Sequence, residues 1–479
     1  MTVVTTSQSR SVAVSALSQL VAKALHLLLN VISTLAILHY LAPAAYGSYV
    51  LVVTVVTLAG VVADFGLPQL AVREIVRAPS ERTRAQDEIL GTTAALRLGL
   101  ALGAVLGCQA VLLVLGQPLV VHQAAAIASV LLLVDAVLSV VLVSFQVHVE
   151  QQYEAIVRVT VEALETGLIL LLIARQADLI WLFVPPVVAV AVGLVLALAL
   201  ARRRYRLRLR PARHRVSFLL AEALPIGPAL IVAAVYLKLD SLVLAAMRPL
   251  SDVGIYGSAY QPVEYLFLGT AVIMNVLFPM LAGAWAGGDP ARFLQLYRRT
   301  SELLVIATAF VPLVFAFTAP AVVRVAFGGA YAEAARPLQI LSVALVAMTV
   351  SAWQSLALIS AGLQRLILVY NSVTLVVALG LCTLLVWRFG PMGAALSVLA
   401  TSCVLLFASL RAVRRRLGST LDAGQMVRIL MAVAVTAGVL ALLGLVQAHW
   451  LLMVLVAAVC YVLALHRFGL HVKMREAFG

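Results

Sequence analysis

The chain holds 479 residues, of which 63% are hydrophobic and 11% charged, with a formal net charge of +14 and a mean hydropathy of +1.09. Soluble domains carry about a quarter charged residues, so this composition excludes a water-soluble globular fold and places most of the chain in lipid. The positive charge points to topology and anionic headgroups rather than to nucleic acid, because the arginine run Arg202–Arg215 has no aromatic stacking platform and a basic loop between membrane spans is what orientation in a bilayer requires.

In chain order, apolar stretches predict fourteen spans near 14–41, 47–70, 91–115, 121–147, 156–174, 179–201, 223–247, 256–283, 301–319, 337–360, 365–387, 391–410, 427–446 and 449–466. Each is long enough to cross about 30 Å of hydrocarbon at roughly 1.5 Å per residue. The fold expected is an all-α polytopic membrane protein of about fourteen transmembrane helices, two pseudo-symmetric six-helix lobes plus two C-terminal helices. The lobes cover residues 1–201 and 223–410, joined by a basic cytoplasmic linker loop, 202–222; residues 411–479 hold a second basic loop, two extra helices and a tail. An N-terminus inside leaves 26 of the 34 Lys and Arg on the cytoplasmic side, 5 outside and 3 within spans. Both termini are therefore expected in the cytoplasm. Span one has no small-residue cleavage site after it and is read as retained.

Polar residues inside the spans follow helical spacing. In span one Gln19, Lys23, His26, Asn30 and Ser33 advance by three or four, which puts all five on one stripe. Span five repeats this with Gln151, Glu154, Arg158, Glu162 and Glu165; Arg158 can pair with Glu154 or Glu162, leaving Glu165 deeper and less compensated. In span seven Tyr236 and Asp240 share a face, while Lys238 lies about 200° of rotation from Asp240. Span eight aligns Tyr256, Tyr260 and Glu264, with Asn275 further on, and Asp64, Arg97 and Asp135 are the remaining buried candidates. Ionisable groups in hydrocarbon face a bundle interior or an aqueous cavity; for each, the alternative is an interhelical hydrogen bond or a side chain snorkelling to the interface.

Two stretches 210 residues apart echo each other. Tyr46-Gly47-Ser48-Tyr49 is followed 22 residues after its first tyrosine by Pro68, and Tyr256-Gly257-Ser258-Ala259-Tyr260 is followed 23 residues after Tyr256 by Pro279. Parallel repeats of this length suit a transporter with a site between two similar bundles. The eight histidines are scattered over separate spans and loops, the four cysteines stand singly, and neither Gly287-Gly288 nor Gly328-Gly329 precedes a phosphate-loop Lys-Ser/Thr. Metal catalysis and ATP-driven pumping find no support, and no cofactor is expected beyond a coupling proton or sodium ion.

These residues resemble the polysaccharide-transport branch of the multidrug/oligosaccharidyl-lipid/polysaccharide exporter superfamily, which includes oligosaccharide repeat-unit flippases. The resemblance rests on Tyr46-Gly47-Ser48-Tyr49, on Ala63-Asp64-Phe65-Gly66-Leu67 with Ala71-Val72-Arg73-Glu74, and on Tyr236-Leu237-Lys238-Leu239-Asp240. Gly254-Ile255-Tyr256 and Leu277-Phe278-Pro279 add the second-half version. It implies alternating access by a V-shaped pair of lobes, with spans one and seven facing a central cavity. The implied cargo is polyprenyl-diphosphate-linked oligosaccharide, turned from the cytoplasmic to the outer leaflet for surface polysaccharide synthesis. Membrane lipids, a glycan polymerase and glycosyltransferases are the implied partners.

Lys23, Arg97 and Lys238 are the cations available to such a substrate, with Lys23 and Lys238 expected on the diphosphate and Tyr236, Tyr260 and Asn30 on sugars. Glu165, Asp240 and Glu264 are the candidates for ion coupling. A cation-coupled multidrug exporter of the same superfamily is the alternative. A membrane glycan polymerase or ligase is less favoured, because the exterior loops are short and poor in catalytic groups, and the chain is read as a transporter rather than an enzyme.

Overall fold

The computed structural model describes residues 6–77, 82–205, 209–418, 423–445 and 449–468. These form sixteen α-helices and two short 3₁₀ turns, with no strand among the described residues. Thirteen helical segments are long and apolar enough to cross a membrane. The remaining expected span, the fifth, is a 24-residue helix whose Glu154, Arg158, Glu162 and Glu165 lower its hydropathy. The chain is thus an all-α polytopic membrane protein. Two compact units divide it, Met1–Lys238 and Leu239–Gly479.

The first unit contains α1 (Thr6–Tyr40), α2 (Pro43–Asp64), α3 (Leu67–Arg77), α4 (Arg82–Val114), α5 (Leu119–Val147), α6 (Gln151–Ala174), α7 (Val184–Tyr205), α8 (Arg213–Ala223) and the start of α9 (Gly227–Met247). Its centre is α5, which packs against α2, α3, α4, α6 and α7. The sequence explains this: Val140, Val141, Leu142, Val143 and Phe145 are all buried, and a stretch that is apolar all round belongs inside a bundle. On the rim, α1 packs against α6, and α6 against α7.

Two expectations change here. Span two, expected as one helix over 47–70, breaks after Asp64, where Phe65 (φ 47°) and Gly66 (φ 75°) are both left-handed before Leu67 starts α3. Pro68 then falls in the first turn of α3, where its missing N–H has no intrahelical partner to lose. The break is filled from the other side of the unit: a Cβ on Gly66 would lie 2.7 Å from Ile226, and one on Gly227 would lie 2.4 Å from the Phe65 ring. The basic linker, expected as a loop over 202–222, is largely helical. Helix α7 runs to Tyr205 and α8 begins at Arg213; Leu219 and Ala223, one turn apart, seat α8 by joining Leu67 and Leu70 in one core, while Phe218 and Leu220 stay exposed.

Unit 2 contains the rest of α9, then α10 (Leu250–Ala286), α11 (Pro290–Ala326), α12 (Ala335–Ser360), α13 (Gln364–Phe389), α14 (Pro391–Leu417), α15 (Ala423–Leu445) and α16 (Trp450–Arg467). Here α12 is central, packed against α10, α11 and α14, with Leu338, Leu341, Leu345, Trp353 and Leu358 buried. The pair α15 and α16 packs on α11 through a core of Leu313, Ala432, Leu440, Met453, Ala457 and Tyr461. Arg248 closes the end of α13: its Nη2 donates to the Trp387 carbonyl at 2.7 Å, which the helix C-terminus leaves open, and its Nε shares the Val386 carbonyl, at 3.2 Å, with the Gly390 N–H.

The helix caps also reset the repeat. Helices α2 and α10 open from matching extended residues, Ala42 (φ −69°, ψ 158°) and Pro249 (φ −57°, ψ 153°). That alignment is 207 residues rather than 210, and it pairs Gly47 with Gly254 and Tyr49 with Tyr256.

Candidate functional site

The polar stripe of α1 meets α6. Glu162, with its side chain 15% exposed, is the hub: His26 Nδ1 lies 3.0 Å from Oε2, and Asn30 Nδ2 donates to Oε1 at 2.8 Å. One turn on, Ser33 Oγ donates to Thr166 Oγ1 at 2.9 Å, and Tyr40 OH donates to the Ala177 carbonyl at 2.7 Å. The spacing that put these residues on one face is therefore the spacing of a helix–helix seam. Asn30, expected on sugar, has its amide engaged by Glu162. Lys23, one turn before His26, is exposed, and the side chain of Gln19 falls outside the described residues.

Nearer the start of α6, Arg158 pairs with Glu154 rather than Glu162, at 2.7 Å, and Gln146 Nε2 donates to the other Glu154 oxygen at 3.0 Å. Glu165 follows Glu162 by one turn, is half-buried, and forms no ion pair among the described residues.

Arg97 lies in a buried ion cluster on α4. It is 2% exposed, with Nη2 bridging Asp64 Oδ1 at 3.2 Å and Asp135 Oδ2 at 3.3 Å, and Nε facing the Ala63 carbonyl at 3.4 Å. Its Nη1 is buried without a hydrogen-bond partner among the described residues. The guanidinium thus ties α2, α4 and α5 together, and its charge is already met by two carboxylates.

On α9, Tyr236 and Lys238 are half-buried. Two residues on, Asp240 is 7% exposed and accepts a hydrogen bond from the hydroxyl of the fully buried Tyr256. The Tyr256 ring lies against Tyr260 with centroids 5.8 Å apart, and Tyr260 and Glu264 continue half-buried along α10. Sequence reading aligned these groups within each helix and did not foresee the Asp240–Tyr256 bond. A signal existed: the two residues stand at equal distances from Arg248 in the α9–α10 turn, so a helical hairpin brings them to one depth. No cluster of three His, Cys, Asp or Glu among the described residues is placed to hold a metal ion.

A sequence search against curated proteins returns no match. Among solved structures, the chain is similar to the lipid II flippase MurJ in an inward closed conformation, with a TM-score of 0.76 and 10% identity over 95% of this chain and 98% of that one. It is similar to an inward-facing multidrug resistance MATE family transporter of the MOP superfamily, with a TM-score of 0.70 and 14% identity over 82% and 94% of the two chains. A MOP superfamily transporter from Pyrococcus furiosus, described as having a binding pocket of reversed polarity, follows with a TM-score of 0.54 and 13% identity over 85% and 95%. These likenesses establish the fold. The model of the polysaccharide biosynthesis protein family matches residues 9–285, more than half of the sequence, and the chain therefore belongs to that family, on the fold of the MOP superfamily.

Proposed function

We propose that this chain is a flippase that carries polyprenyl-diphosphate-linked oligosaccharide from the cytoplasmic to the outer leaflet of the plasma membrane by alternating access. The observation that carries the reading is the family match over residues 9–285, in a chain whose fold is shared along nearly its whole length with a lipid II flippase. In this reading Lys23 on α1 and Lys238 on α9 meet the diphosphate, since a phosphate anion drawn through a medium of low dielectric needs cationic partners. Arg97 is left out of that role because Asp64 and Asp135 already take its charge. Tyr236 and Tyr260 contact sugar, and Asn30 does so only by releasing Glu162. Coupling to a proton or sodium ion runs through Glu165, Asp240 or Glu264. Both termini lie in the cytoplasm, a glycan polymerase and glycosyltransferases work on either side of the step, and the chain itself makes and breaks no covalent bond.

The test is the polyprenyl-diphosphate-oligosaccharide content of membranes from cells with and without the protein, each species assigned to a leaflet. Complete repeat units trapped facing the cytoplasm in the deletion strain are the expected result; an unchanged lipid profile overturns the reading. The alternative, a cation-coupled multidrug exporter, is favoured by one feature: Glu165 lies half-buried on α6 and forms no ion pair among the described residues, as a cation-binding carboxylate would. Under that reading the deletion strain becomes sensitive to cationic drugs and keeps its glycan.

A further inference from the structure

One end of unit 1 holds a cavity lined by none of the residues assigned to transport above. Helix α5 ends there at Val147, α6 begins at Gln151 and α7 ends at Tyr205. Phe145, Tyr153, Leu200 and Arg203 line a volume of about 160 Å³. Its aromatic wall is Phe145, fully buried, against Tyr153 with centroids 5.7 Å apart; behind it Phe145 meets Tyr205 at 5.9 Å, and Tyr205 stacks on His148 at 4.1 Å. Tyrosines at helix ends mark the level of lipid headgroups.

The charge balance at this end is specific. Arg73, Arg158 and Arg215 are paired with Glu222, Glu154 and Glu88. Arg203 is exposed and makes no ion pair among the described residues. The two nearby acids are occupied: Tyr205 donates its hydroxyl to Glu150, and Arg158 and Gln146 hold Glu154. Tyr153 stands in the first turn of the 24-residue α6, where the helix end favours a negative charge.

We propose that this cavity binds the phosphate headgroup of an anionic phospholipid. Arg203 and the Tyr153 hydroxyl take the phosphate, while Phe145 and Leu200 give the glycerol and upper acyl carbons an apolar seat. A free phosphate ion, which is fully hydrated in water, gains nothing from that apolar half, so the site selects the lipid over the inorganic ion. This lipid is a resident of the protein, separate from any cargo.

The test uses the full-length protein in detergent, with thermal unfolding followed as a soluble phosphatidylglycerol is titrated in. Phosphatidylglycerol raises Tm in a saturable way, and phosphatidylcholine and inorganic phosphate do not. In Arg203→Gln the apparent affinity falls about tenfold, as expected for loss of one charge-assisted contact, and Leu200→Trp abolishes the effect by filling the cavity without changing charge. Arg202→Gln, one residue away and also exposed, leaves the affinity unchanged. Equal weakening by Arg202→Gln would mean diffuse attraction to a basic surface and overturns the site. An equal response to inorganic phosphate or to phosphatidylcholine overturns the lipid assignment.

Discussion

A cation buried between two anions is held by their charge, and Arg97 is such a case: removing it strands Asp64 and Asp135, whose side chains are 27% and 47% exposed. Breaking a fully buried pair costs about 3–5 kcal/mol; partial exposure of both acids screens this, so Arg97→Met is expected to destabilise by about 2–3 kcal/mol. Adding Asp64→Asn and Asp135→Asn to the same chain should recover most of the loss. Thermal unfolding of the purified variants checks both. If Arg97→Met unfolds like the parent yet fails in glycan export, the arginine acts on substrate and not on packing. Lysine at this position is expected to recover part of the loss, because a single nitrogen, Nη2, bridges both carboxylates, while the Nε contact to the Ala63 carbonyl has no counterpart in an ammonium. Tyr256→Phe follows the same logic on the second unit. It removes the hydroxyl that donates to Asp240, which is 7% exposed, and is expected to cost about 1–3 kcal/mol in the same assay.

Helix-to-helix approach decides the next scale. At Gly393, in the first turn of α14, a Cβ would sit 1.9 Å from the Leu385 carbonyl oxygen of α13, whereas one at Gly380 meets nothing within 4 Å. Gly393→Ala must push two backbones apart and is expected to destabilise by about 1–3 kcal/mol. Gly380→Ala is expected to be neutral or to stabilise by about 0.5–1 kcal/mol through helix propensity; equal melting of the two variants would contradict the packing described. This scale is also where legibility divides. Span positions were readable because hydrocarbon thickness fixes length and hydropathy, and α6 was readable despite its charges because they recur at helical spacing on one face. The break at Phe65-Gly66 carried a signal, a glycine two residues before Pro68, but an apolar run across it masked the stop. Helix α8 was hidden by the opposite bias, since the arginines around it read as a loop although Leu219 and Ala223, four residues apart, offered a stripe to bury. The His26–Glu162 and Arg97–Asp135 pairs were not readable at all, because the period of a helix tells which residues share a face and says nothing of which helix lies opposite.

For the whole molecule the question is whether two lysines from different helices, Lys23 of α1 and Lys238 of α9, act on one diphosphate. Independent roles and a shared role make different predictions for the double variant. If each lysine contributes its own step, the losses in flipping rate multiply, so two losses of about tenfold, roughly 1.4 kcal/mol each, give about a hundredfold in Lys23→Ala/Lys238→Ala. If they clasp the same phosphate pair, removing either one already breaks the clasp, and the double variant is little worse than the worse single one. The measurement is the rate at which lipid-linked oligosaccharide reaches the outer leaflet at matched protein levels, in the parent, both single variants and the double. Non-additive losses are the expected outcome. Full export in both single variants would remove the lysines from the mechanism. In that case Glu165→Gln, Asp240→Asn and Glu264→Gln become the informative chains, since a coupling carboxylate must leave its mark on the dependence of transport on pH or sodium, and a merely structural one leaves that dependence as it was.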